Sequence, residues 1–250
     1  MFKNTQELVL TSLIGAIIVM LSVIPQLGLI QIFPAVSITI IHIPVLIGVM
    51  TLRRPSAIIL GTLFGLGSLF AALTRGATPV DLAFVNPLIS VVPRILFAII
   101  AYELYRGFKW LQQRLTYIQS ILIIDVVLVV SFIFLGDYIS ALDVMPLWIL
   151  VSLLIVMYSA LVYFIYTNTK HSQKLMFVTL TALFSTLAHT ILVLSALLIV
   201  EPTLFNFTFG ASVELIYGIL VTNGLLEAVV AVLVVTPIVR AIHLSQGAFQ

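Results

Sequence analysis

Long apolar runs follow one another along almost the whole chain. The 250 residues are 62% hydrophobic and only 8% charged, whereas soluble domains carry about 25% charged residues. A helix needs roughly 20 consecutive apolar residues to cross a bilayer, where its backbone polar groups must all be bonded internally. The sequence therefore predicts an all-α, polytopic integral membrane bundle that forms a single transmembrane domain over residues 1–250.

Eight apolar segments are candidates for membrane-spanning helices. They lie near residues 8–25, 36–52, 56–74, 87–105, 117–136, 146–167, 175–200 and 213–239. Lysine and arginine accumulate in cytoplasmic loops, and a cytoplasmic N-terminus places nine of the eleven basic residues on that side: Lys3, Arg53, Arg54, Arg106, Lys109, Arg114, Lys170, Lys174 and Arg240. We therefore expect both termini in the cytoplasm. Arg75 and Arg94 then lie on the outer side, where this rule does not explain them.

Several polar residues fall within the apolar segments, where each is costly unless it has a partner or lines a cavity. Asn223 and Glu227 are four residues apart and share a helix face. They could form structural bonds, including a pair with a cation, or could contact substrate or another subunit. His189 could be a neutral core histidine or a ligand, and Asp125 could be structural.

Small residues recur at helical spacing in two segments. Thr11 with Gly15, and Ser12 with Ala16, form overlapping pairs in the first segment, and Ala57, Gly61 and Gly65 follow at intervals of four in the third. Such faces allow close approach of another helix. The partner could be a helix of the same chain or a helix of another subunit.

Motifs for several enzyme chemistries are missing from the sequence. It has no cysteine, no P-loop, no H-E-x-x-H zinc motif and no G-x-S-x-G elbow. Four scattered histidines do not predict a metal site, and long basic patches for nucleic acid are absent. We therefore expect a small-molecule carrier or binding subunit rather than an enzyme.

Three stretches together suggest a family. They are "IHIPVLIGVMTLRRPSAIILGTLFGLGSLFAALTRG", "FVNPLISVVPRILFAIIAYELY" and "LVTNGLLEAVVAVLVVTPIVRAI". The chain resembles the substrate-binding S components of energy-coupling factor (ECF) transporters over residues 8–110 and 175–243. The resemblance implies vitamin uptake across a bacterial cell membrane, together with a transmembrane coupling subunit and two cytoplasmic ATPases. No cofactor of its own is implied, because the partners hydrolyse ATP.

The resemblance also implies where substrate and partner bind. The substrate pocket lies near the outer surface, with candidate residues Asn86, Arg94, Arg75, His189, Asn223 and Glu227, and the coupling subunit docks on Thr11, Ser12, Gly15 and Ala16. Arg94 could clamp a carboxylate in bidentate fashion, which favours pantothenate as the vitamin. Alternatively, Arg94 could pair with Glu227 or Glu214 and join two helices.

Two features depart from the family pattern. S components usually have six helices, and residues 112–172 add what resembles an inserted two-helix hairpin. The motif at 185–190 has His189 where the family pattern leads us to expect asparagine, so the substrate could be a different vitamin or precursor. The alternative class is a stand-alone secondary carrier or channel for a small solute.

Overall fold

The computed structural model describes residues 5–24, 28–33, 36–76, 78–141, 146–169, 175–202 and 217–245. Its described strands and helices, in chain order, are α1 Thr5–Val23, β1 Leu29–Phe33, β2 Val36–Thr39, α2 His42–Thr51, α3 Arg54–Arg75, α4 Pro79–Ala83, α5 Pro87–Ser90, α6 Val92–Gln112, α7 Tyr117–Ala141, α8 Leu147–Thr169, α9 Met176–Val200, the π-helix Leu220–Gly224 and α10 Leu225–Ser245.

Within these ranges, seven helical segments are long and apolar enough to cross a membrane. They are Thr5–Val23, Arg54–Arg75, Pro87–Leu111, Tyr117–Asp137, Leu147–Thr169, Met176–Val200 and Leu225–His243. The prediction of an all-α polytopic membrane bundle is confirmed. Its last helix continues to Ser245, several residues beyond the predicted end.

The structure differs from the prediction at the segment 36–52. Strands β1 and β2 form an antiparallel hairpin in which Leu29 pairs with Thr39, and α2 follows with 10 residues. A helix of that length extends about 15 Å, half of the roughly 30 Å hydrocarbon core. Pro44 lies in the first turn of α2, and a proline inside a longer helix would clash with the carbonyl four residues earlier. A short helix preceded by a strand therefore replaces the predicted spanning helix. Because α1 ends beside Arg75 and α3 begins at Arg54, at the opposite end, the polypeptide still returns across the bundle between these two helices.

Glycines of α3 allow α6 to approach closely. A Cβ added at Gly61 would lie 2.5 Å from Ala98 Cβ and 2.8 Å from the carbonyl oxygen of Arg94, and one added at Gly65 would lie 2.8 Å from Val91 Cα. These glycines therefore mediate packing within the chain. The fully buried rings of Phe64 and Phe97 lie on the same two helices.

The pair α7 and α8 pack against each other along the side of the bundle. The Tyr158 hydroxyl donates a hydrogen bond to the Asp125 carboxylate, and the hydroxyls of Tyr117 and Thr169 lie 3.3 Å apart. Asp125 thus has a structural partner at membrane depth. That this pair is an insertion into a six-helix core stays a prediction.

Charged side chains mark the two ends of the bundle. At one end, Glu103 of α6 forms ion pairs with Arg54 at 3.4 Å and Arg106 at 3.1 Å. At the other end, Arg75 Nη2 donates a hydrogen bond to the Ser22 carbonyl at 2.6 Å, which joins the end of α3 to the end of α1. Arg94, in the first turn of α6, lies toward the Arg75 end.

Candidate functional site

Two histidines that are far apart in sequence stack inside the bundle. The ring centroids of His42, at the start of α2, and His189, in α9, are 5.7 Å apart with planes inclined by 15°. His189 also lies 4.9 Å from the Phe97 ring and 5.4 Å from the Phe64 ring. The two histidines are 0% and 5% exposed. Four elements, α2, α3, α6 and α9, thus contribute to one buried ring cluster.

This cluster contains polar atoms without protein partners. His42 Nε2 lies 3.3 Å from Thr186 Oγ1, and the His42 ring also interacts with the Thr39 backbone. Both ring nitrogens of His189 and Ser185 Oγ are buried without a hydrogen bond among the described residues. Buried polar groups are normally bonded, because an unsatisfied one costs about 1–3 kcal/mol. The arrangement can donate to or accept from a polar molecule held beside the rings.

Arg94 is buried at the edge of the ring cluster and is 6% exposed. Its Nη1 donates to the Ile89 carbonyl at 2.6 Å, and its Cζ lies 5.0 Å from the Phe84 ring centroid and 5.6 Å from that of Phe64. Within the described part of the chain, Nε has no acceptor. The guanidinium is therefore held by aromatic faces and one carbonyl, with donor capacity left over.

The local sequence explains how Arg94 reaches this position. Asn86 caps the short helix α5, since its Oδ1 accepts from the Leu88 N–H at 3.0 Å and Pro87 occupies the first helical position. Helix α6 then begins at Val92, with Pro93 in its first turn. The two prolines divide the polypeptide into two helices, and the break lets Ile89 present its carbonyl to the guanidinium.

Glu227 lies in the first turn of α10 and is 6% exposed. Its Oε1 accepts a hydrogen bond from the Thr39 N–H at 2.7 Å. Glu227 and Arg94 interact electrostatically, yet no ion pair within 4.0 Å joins these two described residues. Direct pairing with Glu227 is therefore not observed, and Glu214 lies outside the described residues.

The other predicted substrate residues are placed differently. Asn86 serves as a helix cap, and Arg75 binds the end of α1. Asn223 lies in the π-helix before α10, and its Oδ1 is buried with no partner among the described residues. The structure thus brings His189 and Arg94 to one cluster with Glu227 nearby, and separates Arg75 from it.

The four predicted docking residues divide between two faces of α1. Thr11 and Gly15 are buried, and a Cβ added at Gly15 would lie 3.0 Å from Leu63 Cδ1 of α3. Ser12 and Ala16 are exposed. Thr11 and Gly15 therefore pack within the chain, and contact of a coupling subunit with Ser12 and Ala16 stays a prediction.

Sequence reasoning missed several members of the site. These are His42, Phe64, Phe84, Phe97 and Thr186. His42 could have been found by the criterion applied to His189, since it is a polar residue within an apolar run. The aromatic residues carried no such signal, because phenylalanine is common throughout membrane helices.

A helical membrane bundle with a buried cluster in which imidazole nitrogens and one guanidinium nitrogen lack partners among the described residues is typical of a membrane protein that binds a small polar molecule. The family model "ECF transporter, substrate-specific component" matches residues 6–145, more than half of the chain. The chain belongs to this family of transporter components, which implies association with the coupling and ATPase subunits of an ECF module. A search of curated proteins found no match.

Proposed function

We propose that this subunit captures an anionic water-soluble vitamin, with pantothenate as the first candidate, and delivers it inward with a coupling subunit and two ATPases. The observation that carries the proposal is Arg94: a buried guanidinium that has no carboxylate within 4.0 Å among the described residues and has an unpartnered Nε. The substrate's carboxylate provides the counter-charge.

The energetics favour an anionic ligand. An isolated buried charge is expensive unless it is paired and hydrogen-bonded, and a guanidinium fork binds a carboxylate through parallel hydrogen bonds. The cation–π contacts to Phe64 and Phe84 stabilise Arg94 in part. The Glu227 carboxyl group interacts electrostatically with Arg94 from beyond 4.0 Å, and its Oε1 accepts a hydrogen bond from the Thr39 N–H.

Pantothenate also suits the neighbouring histidines. Besides one carboxylate it carries an amide and two hydroxyl groups, which can donate to or accept from neutral imidazole nitrogens. Both ring nitrogens of His189 have no partner among the described residues. We assign the carboxylate to Arg94 and the amide or hydroxyl groups to the histidine pair.

The charge distribution supports binding from outside. The end bearing Arg54, Arg106 and Glu103 is rich in cations, and Arg94 lies toward the opposite end. By the positive-inside rule the Arg54 end faces the cytoplasm. We propose that the protein resides in a bacterial plasma membrane with both termini cytoplasmic, so that Arg94 meets substrate arriving from outside.

Thermal stabilisation of the purified protein tests substrate choice. A ligand that binds only the folded state raises the melting temperature by mass action. We expect a rise with pantothenate and none with thiamine, a cation. Arg94→Ala should abolish the rise while Arg75→Ala, a matched change at the second outer arginine, preserves it. A rise with a cationic vitamin alone would refute the anion assignment.

Co-purification tests the assembly. Co-expressed coupling and ATPase subunits should be retained on this subunit in detergent, and uptake should require ATP hydrolysis by those partners. Uptake by the isolated subunit in vesicles, driven by a proton gradient and lost in His189 or Glu227 variants, would identify a stand-alone carrier instead.

A further inference from the structure

A long apolar crevice runs along the outer face of α6 near the cation-rich end. Its volume is about 480 Å³, and it is lined by residues of α6 from Ile99 to Leu111, which are apolar except for the Glu103 carboxylate. This face is separate from the ring cluster, because the buried residues Phe97 and Ala101 of α6 point into the bundle. The crevice therefore lies on the outer surface of the bundle.

Gly107 forms the floor of the crevice. A Cβ added at this position would meet no atom within 4 Å, in contrast to Gly61 and Gly65, which face backbone or side-chain atoms within 3 Å. Gly107 is therefore not required for packing between helices. Its missing side chain leaves a notch between larger apolar neighbours.

Cations surround the end of this crevice. Arg114 Cζ lies 4.7 Å from the ring centroid of Trp110, a lining residue, and Arg114 has no carboxylate within 4.0 Å among the described residues. Arg106 lies beside the crevice and shares Glu103 with Arg54. Arg54 and Arg106 thus share one carboxylate while Arg114 has none among the described residues, so the local charge is positive.

The dimensions match one leaflet of a bilayer. From Ile99 to Leu111 the crevice covers about 18 Å of helix, somewhat more than half of the roughly 30 Å hydrocarbon core. Tryptophan favours the membrane interface, and Trp110 marks that level here. The crevice therefore extends from headgroup depth toward the bilayer centre.

We propose that this crevice binds an anionic phospholipid, with one acyl chain over Gly107 and the phosphate between Arg106 and Arg114. Basic clusters at the membrane surface attract anionic lipid headgroups. A lipid carries both an anionic phosphate and an apolar chain, which match Arg114, unpaired among the described residues, beside an apolar face.

Native mass spectrometry with equal amounts of phosphatidylglycerol and phosphatidylcholine tests the site. We expect the protein to retain phosphatidylglycerol several-fold more than phosphatidylcholine. The double change Arg106→Gln with Arg114→Gln should remove this preference. Gly107→Leu should reduce retention of both lipids, since it fills the notch, and open space around Gly107 means that the fold should tolerate it.

Lys109→Gln with Arg240→Gln is the matched control, because it removes the same charge. Lys109 lies about 160° around α6 from Gly107 at 100° per residue, and neither residue lines the crevice. This control should keep the lipid preference. Equal retention of the two lipids by the unmodified protein, or the same loss in the control, would overturn the proposal. Melting temperatures of all variants verify that they are folded.

Discussion

The Glu227 carboxylate accepts a hydrogen bond from the Thr39 N–H at 2.7 Å, across 188 residues of sequence. Thr39 ends β2 and lies three residues before His42, so the bond fixes the start of α2 against the start of α10. One side chain therefore positions the histidine pair and also contributes to the electrostatic environment of Arg94.

Glu227→Ala should loosen the segment around Thr39. A buried donor that loses its acceptor costs about 1–3 kcal/mol, and we expect the free energy of unfolding to fall by that amount. Hydrogen exchange at the Thr39 amide should become faster. Glu227→Gln keeps an acceptor and should give a smaller effect; equal exchange in both variants and the unmodified protein would contradict the assigned bond.

His189→Phe should separate stability from binding. Both imidazole nitrogens lack partners among the described residues, so an aromatic ring of similar shape should leave the ligand-free melting temperature unchanged or raise it. Vitamin affinity should fall about tenfold, the equivalent of roughly one hydrogen bond. Calorimetric titration measures the vitamin affinity, and thermal melts measure the ligand-free melting temperature.

His42→Phe is the matched comparison for that experiment. It removes the contact between His42 Nε2 and Thr186 Oγ1 and leaves that hydroxyl without the imidazole, so it should lower the melting temperature. If His189→Phe destabilises the protein as much as His42→Phe does, the unbonded nitrogens of His189 are not available for ligand.

Gly61→Ala should disturb the junction that holds Arg94. Its Cβ would overlap Ala98 Cβ and approach the Arg94 carbonyl, and overpacking of this kind costs about 1–3 kcal/mol. Gly107→Ala introduces the same methyl group in open space and should leave the melting temperature unchanged or higher. Equal melting of the two variants would mean that α3 and α6 are not in close contact at Gly61.

Changes on α1 should distinguish docking from internal packing. Ala16→Leu lies on the exposed face and should leave vitamin binding intact while preventing capture of the coupling subunit. Gly15→Leu collides with Leu63 and should lower stability as well. Pull-down of the coupling subunit, paired with ligand binding, checks both; intact capture by folded Ala16→Leu would remove this face from the interface.

The helical bundle could be predicted because apolar length is a direct requirement of the bilayer. The segment 36–52 could not, because an apolar run does not distinguish a strand followed by a short helix from one spanning helix. Pro44 was the available signal for a late helix start, since proline restricts its preceding turn.

The sequence singled out two residues of the candidate site but not their geometry. The positive-inside rule left Arg94 unexplained, and His189 lies within an apolar run, where polar groups are costly. Their approach to His42 depends on packing among α2, α6 and α9, which no spacing in the sequence reports. Likewise, the sequence does not show that Gly15 is buried while Ala16 is exposed, because this difference depends on where α3 packs against α1.

Equilibrium binding of labelled pantothenate to the purified subunit, with Arg94→Ala and Arg75→Ala in parallel, tests the anion clamp most directly. Losing one partner of a buried charge pair costs about 2–5 kcal/mol. We therefore predict saturable binding to one site, weakened roughly 30-fold or more by Arg94→Ala and unchanged by Arg75→Ala. Unaltered affinity in folded Arg94→Ala, or no saturable pantothenate binding to the unmodified subunit, would contradict this prediction.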